Sequence, residues 1–483
     1  MLADLPDLPT GLLIDGEWTT AADGRTVAVI DPATGEELTS IADAAPADAV
    51  AALGAASAAA PAWAATPPRQ RAEILRQAFD EVTRRKDEFA RLMTLEMGKP
   101  LAEAYGEVTY GSEFLRWFSE EAVRIGGRYG LNPEGTGQMV VSQRPVGPAY
   151  LITPWNFPLA MATRKIAPAL AAGCPVIIKP AANTPLTTLL FAQLLVEVGV
   201  PAGVVNVIAS TRPAEITEPL LADPRLRKLS FTGSTAVGVR LLEQAARNVL
   251  RTSMELGGNA PFLIFDDADL DAAVDGAMTA KFRNIGQACT AANRFIVHAQ
   301  VVDEFVARVT ARVKAMKVGS GLEDGVNIGP LIDAKAVDST DTLVTNAVDL
   351  GASVTVGGRR IERPGYFYAP TVLRDVQPGS RLLAEEIFGP VLGVITFETE
   401  DEAVAMANDT EYGLVSYAYT RDLGRAHRLI DSLETGMMGL NTGLVSNAAA
   451  PFGGVKASGL GREGAAEGIA EYLETKYTLI PTA

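Results

Sequence analysis

From residue 149 onward, short apolar runs alternate with longer helical segments, and this alternation restricts the fold more than any other feature. The runs "AYLIT", "PVIIK", "GVVNVI" and "KLSFT" read as strands. Helical stretches separate them. In one, "NTPLTTLLFAQLLVEVG", Asn183 or Thr184 is the expected N-cap, Pro185 lies in the first turn and Gly199 is the stop. Strands alternating with helices imply a parallel, doubly wound α/β sheet, which takes its ligand outside the carboxyl ends of its strands.

A second α/β unit begins near residue 260 with "APFLIF", the helix "ADLDAAVDGAMTAKF", "RFIVHA" and the helix "VVDEFVARVTARVKAM", and continues through "VLGVITF", "DEAVAMAN" and "YAYTRDLGRAHRLIDSL". Ahead of residue 149, "LLIDGEW" and "VAVIDPATGEEL" read as short strands with "DPATGE" as a turn. Helical patterns follow near 67–93 and 100–123. Two strand-like stretches lack a local partner, "QMVVSQRPVG" (138–147) and the tail "YLETKYTLI". They suit each other, within one chain or between subunits. A chain of 483 residues exceeds one ordinary core. We expect a first domain from 1–123 and 148–254, a second from 255–455, and a small β arm from 124–147 and 456–483.

Net charge −16 and a pI of about 4.8 argue against nucleic acid or an anionic membrane as partner, though not against a small anion held by local arginines. The start "MLADLPDLPT" carries Asp4 and Asp7 and lacks the basic region of a secretory signal. Residues 49–68 are uncharged, but they are alanine-rich with three prolines, so we expect a surface helix ending near Pro61 rather than a membrane span. Two cysteines make no disulfide framework, and a reducing cytoplasm fits them. His298 and His427 stand far apart, so no metal cluster is visible.

The segment "KFRNIGQACTAANR" (281–294) reads neither as core nor as a clean surface helix. A free cysteine is usually a buried small hydrophobe, which suits Cys174 in "AAGCPVIIKP". Cys289, flanked by Gly286, Gln287, Thr290 and Asn293, stands in poor company for that. A cysteine nucleophile also needs a base, and with no histidine nearby a carboxylate is the candidate. Glu255 in "MELGGNAPF" lies 34 residues earlier; the alternative is a glutamate that merely solvates a turn. In "ITPWNFP" an apolar strand ends at Asn156, an amide donor suited to an oxyanion, or a residue capping its own turn. In "FTGSTAVG", Gly233 follows a strand and opens a helix, an arrangement suited to phosphate, without the spacing of a GxGxxG or P-loop motif.

Taken together, "PWNFP", "KPA", "FTGST", "ELGG", "GQAC", "EEIFGP" and "PFGGVKASGLGRE" resemble, in order, the motifs of the aldehyde dehydrogenase superfamily, and the likeness runs from "DPATGEE" to "ETKY". It implies a cofactor domain, a catalytic domain and an oligomerisation arm in a homodimer or homotetramer, with NAD(P) as hydride acceptor. By this resemblance Cys289 is the nucleophile, Asn156 and the Cys289 N–H hold the oxyanion, and Glu255 activates water against the thioester. Lys179 reaches the adenosine ribose. Thr153, Trp155, Ala182, Gly233, Ser234 and Leu256 line the cofactor cleft, and Glu386 and Phe388 hold the nicotinamide ribose and ring.

Within the family, "TRK", "KFRN" and "NTGLVSNAAAPFGG" resemble the succinate-semialdehyde dehydrogenases, in which two arginines and a serine bind the substrate's distal carboxylate. These correspond to Arg164, Arg283 and Ser446, and an arginine fork matches a carboxylate. The bland alternative pairs each arginine with an acid of the fold. Two departures matter. Ala291 replaces a cysteine that in some members forms a disulfide with the nucleophile, so no local redox switch is expected. Ala182 replaces the glutamate of NAD-preferring relatives, which leans the expectation to NADP with NAD possible. The alternatives are a glutarate-semialdehyde, broad-range or CoA-acylating enzyme, or a non-catalytic relative.

Overall fold

The apolar runs build two sheets in the computed structural model, which describes residues 8–482; the acidic start with Asp4 and Asp7 lies outside them. The first sheet has eight strands in the order Glu17–Thr19, Leu12–Ile14, Val205–Val207, Val176–Lys179, Ala149–Ile152, Lys228–Thr232, Arg251–Glu255 and Gly459–Leu460. The five central strands run parallel. Val176–Lys179 and Lys228–Thr232 are buried at every position, as a sheet covered on both faces requires. The winding reverses between Ala149–Ile152 and Lys228–Thr232. The crevice beyond their carboxyl ends is therefore set by topology.

The second sheet has seven strands, ordered Ser353–Val356, Thr371–Arg374, Val391–Phe397, Ala292–His298, Ala260–Ile264, Val415–Tyr419 and Met437–Leu440, with only the first antiparallel. Phe262 anchors its core, with ring centroids 4.9 Å from Phe295 and 5.1 Å from Tyr419. This sheet meets the crevice by its amino ends. Cys289 precedes Ala292, Gly257 and Gly258 precede Ala260, and Glu386 precedes Val391. The rule of carboxyl-end loops thus describes one half of the site only.

The orphan strands find each other within the chain. Leu473–Pro481 pairs antiparallel with Gly137–Pro145, from Leu473 opposite Pro145 to Pro481 opposite Gly137, and Arg128–Leu131 completes the three-stranded sheet. Of the segment 456–483, only Leu473–Pro481 lies in this sheet, because Gly459–Leu460 extends the first sheet beside Arg251–Glu255.

Three local expectations need correction. The helix expected to end near Pro61 runs Pro46–Ala65 with Pro61 inside it. Trp63, 2% exposed, anchors the last turn, and its burial outweighs a proline penalty of about 3 kcal/mol. The single pattern near 67–93 divides into Pro68–Arg84 and Lys86–Met97. Arg85 at the joint is held by Glu88 at 2.7 Å and Glu197 at 3.1 Å. Neither Asn183 nor Thr184 caps the next helix. It runs Leu186–Glu197 behind Pro185, and buried Glu96 receives the free N–H groups of Leu186 (2.7 Å) and Thr187 (2.9 Å). No single helix among the described residues is long and apolar enough to cross a membrane.

Candidate active site

Cys289 stands on a turn whose backbone is unusual. Arg283–Gly286 is a kinked turn in which Asn284 (φ 55°) and Ile285 (φ 61°) are both left-handed. Such torsions cost about 1–3 kcal/mol each and persist only where surroundings impose them. Here the Asn284 N–H is taken by Glu103 at 2.6 Å, its side chain donates to the Asn156 and Gln287 carbonyls at 2.9 Å each, and Gln287 Oε1 accepts from Ile332 N at 3.0 Å. The glycines of the motifs allow close approach. A Cβ at Gly286 would lie 2.2 Å from the Gly389 carbonyl, and one at Gly258 would lie 2.5 Å from the Cys289 carbonyl. "GQAC", "ELGG" and "EEIFGP" therefore pack as one unit.

Burial pushes the Cys289 thiol up to about 12; Glu386 and Glu255 add to this, while Arg164 and Arg283 oppose it. Asn156, 3% exposed, donates from Nδ2 to the Gln287 carbonyl at 3.0 Å, two residues before the cysteine. An amide carries two protons, so one remains beyond this bond. Glu255 ends the strand Arg251–Glu255 fully inside the protein. One carboxylate oxygen has no partner, and burial, with Glu463 next, holds the group well above the usual carboxylate range. Gly453 of "PFGG" makes its room, since a Cβ there would lie 2.8 Å from Glu255 Oε1.

The crevice at the first sheet's switch point gathers the other candidates. Thr153 N bonds the Lys179 carbonyl at 3.2 Å, Gly233 N bonds the Glu255 carbonyl at 3.0 Å, and Leu256 packs against Gly238 of the helix Thr235–Ala246. Ser234 caps that helix without a side-chain bond, so its first N–H groups are open to an anion. Lys179, lowered to about 8 by burial, bonds the Pro180 carbonyl at 3.2 Å and no other group among the described residues, and no carboxylate stands at Ala182. Trp155 and Phe388 meet edge to face at 5.4 Å. Glu386, raised to about 8 by burial, accepts from Gly258 N at 3.3 Å. An open helix N-terminus, a poised lysine and two aromatic walls fit a nicotinamide dinucleotide.

The arginines differ. Arg164 lies sandwiched by Phe452 (4.0 Å) and Phe114 (5.2 Å), with its Nε 2.8 Å from Glu463. The fold thus supplies it an acid, yet the Nε–H is off-axis and Nη2 has no partner. Arg283 is half-buried over the Phe157 ring at 5.3 Å, and among the described residues no carboxylate lies within ion-pair distance of it. Ser446 sits beside Tyr110 in a cavity of about 640 Å³ that Gly106, Thr109 and Trp117 also line.

Sequence reasoning passed over Tyr110, Lys165 and Glu463. The Tyr110 hydroxyl is buried without a well-formed hydrogen bond, and the charges of Arg164 and Arg283 reach it. Lys165 Nζ joins Glu463 at 2.6 Å and Ser230 at 2.9 Å. The available signal was charge inside otherwise apolar helical sequence, as in "AMATRKIAPAL". Among the described residues no group of three or more His, Cys, Asp or Glu is placed to hold a metal.

The Aldehyde dehydrogenase family model matches residues 18–478. The chain is 60% identical over 440 residues to a succinate-semialdehyde dehydrogenase of Paenarthrobacter nicotinovorans, covering 91% of this chain and 98% of that one. It is 48% identical over 468 residues to the succinate-semialdehyde dehydrogenase [NADP(+)] GabD of Escherichia coli K12, 97% of each chain. A glutarate-semialdehyde dehydrogenase of Pseudomonas aeruginosa is 49% identical over 464 residues, 96% of each. The crystal structure of succinate-semialdehyde dehydrogenase from Burkholderia pseudomallei superposes with a TM-score of 0.97 at 47% identity, covering 99% of this chain and 100% of that one.

Proposed function

The chain belongs to the aldehyde dehydrogenase family, and from that premise we propose that it oxidises succinate semialdehyde to succinate, with NADP favoured over NAD. The single observation that carries the substrate is Arg283, six residues ahead of Cys289, a guanidinium with no carboxylate within ion-pair distance among the described residues. Arg164 Nη2, Ser446 and the Tyr110 hydroxyl complete a polar end for a carboxylate. In the reaction, Cys289 adds to the aldehyde carbon and the Asn156 amide proton takes the developing oxyanion. The nicotinamide cofactor, when bound, accepts the hydride. Glu255 then removes a proton from the water that attacks the thioester, releasing the acid and the free thiol. Glutarate semialdehyde is the second reading. One methylene is worth only about 1–3 kcal/mol in such a pocket, and a glutarate-semialdehyde dehydrogenase is nearly as similar to the chain as GabD.

Initial rates test the reading, with succinate semialdehyde and butanal each supplied with NADP and with NAD. A large advantage for the semialdehyde is expected. Arg283→Leu should raise its KM about 10–100-fold, the loss of one charge-assisted contact of about 1.5–3 kcal/mol, and leave butanal unchanged. Equal rates for both aldehydes would return the arginines to the fold. A strong preference for NAD would remove the inference from Ala182.

We assign the cofactor domain to 1–123 and 148–254, the catalytic domain to 255–455, and self-association to the arm of 124–147 and 456–483. Tyr129, Leu131, Tyr477, Leu479 and Ile480 lie exposed on the arm sheet, and covering such side chains contributes about 1.5–3 kcal/mol each. Sedimentation should find a homodimer or homotetramer, and Leu479→Asp with Ile480→Asp should dissociate it; a monomeric wild-type chain would end this assignment. A reducing compartment suits the unpaired Cys174 and Cys289, and we assign the cytoplasm, which cell fractionation checks.

A further inference from the structure

Beneath Asn156 lies a charge cluster in which Lys99 and Glu107 are buried and Glu103 is half-buried. Lys99, Glu103 and Glu107 repeat every fourth residue from the end of "EMGK" along the helix Leu101–Glu121. Lys99 is 0% exposed and Glu107 3%. Glu107 Oε1 accepts the N–H groups of Leu159 at 2.9 Å and Ala160 at 3.1 Å, the open first turn of the helix Pro158–Ala172, which Phe157 cannot cap. Glu107 Oε2 binds Lys99 Nζ. Lys99 Nζ also donates to the main-chain carbonyl of Asn156 at 2.9 Å and lies 4.2 Å from the Phe157 ring centroid. Asn284 donates to that same carbonyl from the other side, and its own N–H is held by Glu103.

A serine or aspartate at the N-cap would satisfy the helix at far lower desolvation cost than a buried ion pair. What a local cap cannot do is reach back to the carbonyl of Asn156. That carbonyl has two donors, and its side chain has one contact, the Gln287 carbonyl. Together these fix Asn156 against the segment that leads to Cys289.

We propose that Lys99 and Glu107 are positioning residues for the oxyanion: they act through Asn156, fixing its backbone so that its amide meets the substrate oxygen on Cys289. The proposal rests on the reading of Asn156 as the oxyanion donor. Removing such a donor costs about 10²–10³-fold in kcat, and losing its alignment should cost Lys99→Met about 10–100-fold, with the Kd for NADPH unchanged.

A double-variant cycle reads this directly, because residues acting as one unit are not additive. In the Asn156→Ala background, Lys99→Met should lower kcat less than about twofold. Should Lys99→Met not fold, Glu107→Gln replaces it in the same cycle, keeping an acceptor for Leu159 and Ala160 while releasing the lysine. An impaired Asn156→Ala combined with a fully additive Lys99→Met overturns the clamp and leaves the oxyanion reading standing. Full turnover by Asn156→Ala overturns both.

Discussion

Replacing Cys289 with alanine should lower kcat/KM by at least about 10⁴-fold, the scale on which loss of a covalent nucleophile is felt. The fold leaves no substitute: the other cysteine, Cys174, is fully buried in the first core with its thiol donating to the Tyr472 carbonyl at 3.4 Å. The same residue should give a distinctive pH response in the free enzyme. With the thiol pushed up to about 12, mainly through burial, the neutral thiol predominates at pH 7. Alkylation by iodoacetamide should therefore be slow at neutrality and rise about tenfold per pH unit, since ionisation releases a proton. Glu386→Gln should lower the apparent value, because the Glu386 charge is the largest electrostatic contribution opposing the thiolate. Turnover surviving in Cys289→Ala would mean that the chemistry lies elsewhere. A neutral-pH alkylation rate like that of a free thiol would mean that the site is wetter than the structure shows.

The second large effect separates the two halves of the reaction. Glu255→Gln should form about one reduced nicotinamide per site in a burst and then stall, with the steady-state rate down about 10³-fold, within the range of general-base catalysis. The acyl group should then be recoverable on Cys289 by acid quench and mass measurement. The direction with pH follows from the burial of Glu255 beside Glu463, which holds the carboxyl protonated well above its ordinary range. Proton abstraction needs the carboxylate, so the wild-type steady-state rate should climb with pH and the climb should vanish in Glu255→Gln. A variant without a burst, or with an unaltered steady state, would assign the base to another group.

Legibility in the sequence tracked the range of the interaction. Periods of apolar residues and turn signals are local, so the two α/β units, the arm strands and the turn at "DPATGE" could be read directly. Motifs such as "ELGG" and "GQAC" were legible only through their order in the family resemblance, and the structure shows why glycine stands in them, at close backbone approaches. Errors arose where distant burial overruled a local rule. Pro61 stays helical because Trp63 is buried, and the helix at Leu186 is capped by Glu96, which the chain brings from 90 residues away. The polar interior was hidden for the same cause. Lys165 meets Glu463 across 298 residues, and no spacing rule links them.

By itself the sequence determined the α/β winding and a ligand crevice outside the carboxyl ends of the first sheet's strands, and the family resemblance singled out the thiol, carboxylate and amide. Only the tertiary structure decided that the second sheet meets the crevice by its amino ends, that Arg164 has an acid within ion-pair distance while Arg283 has none among the described residues, and that buried Lys99 holds the Asn156 carbonyl. Backbone torsion and hydrophobic period are written within a few residues of each other. The partner of a buried charge is chosen by whichever distant segment packs against it, and that choice exists only once the chain has folded.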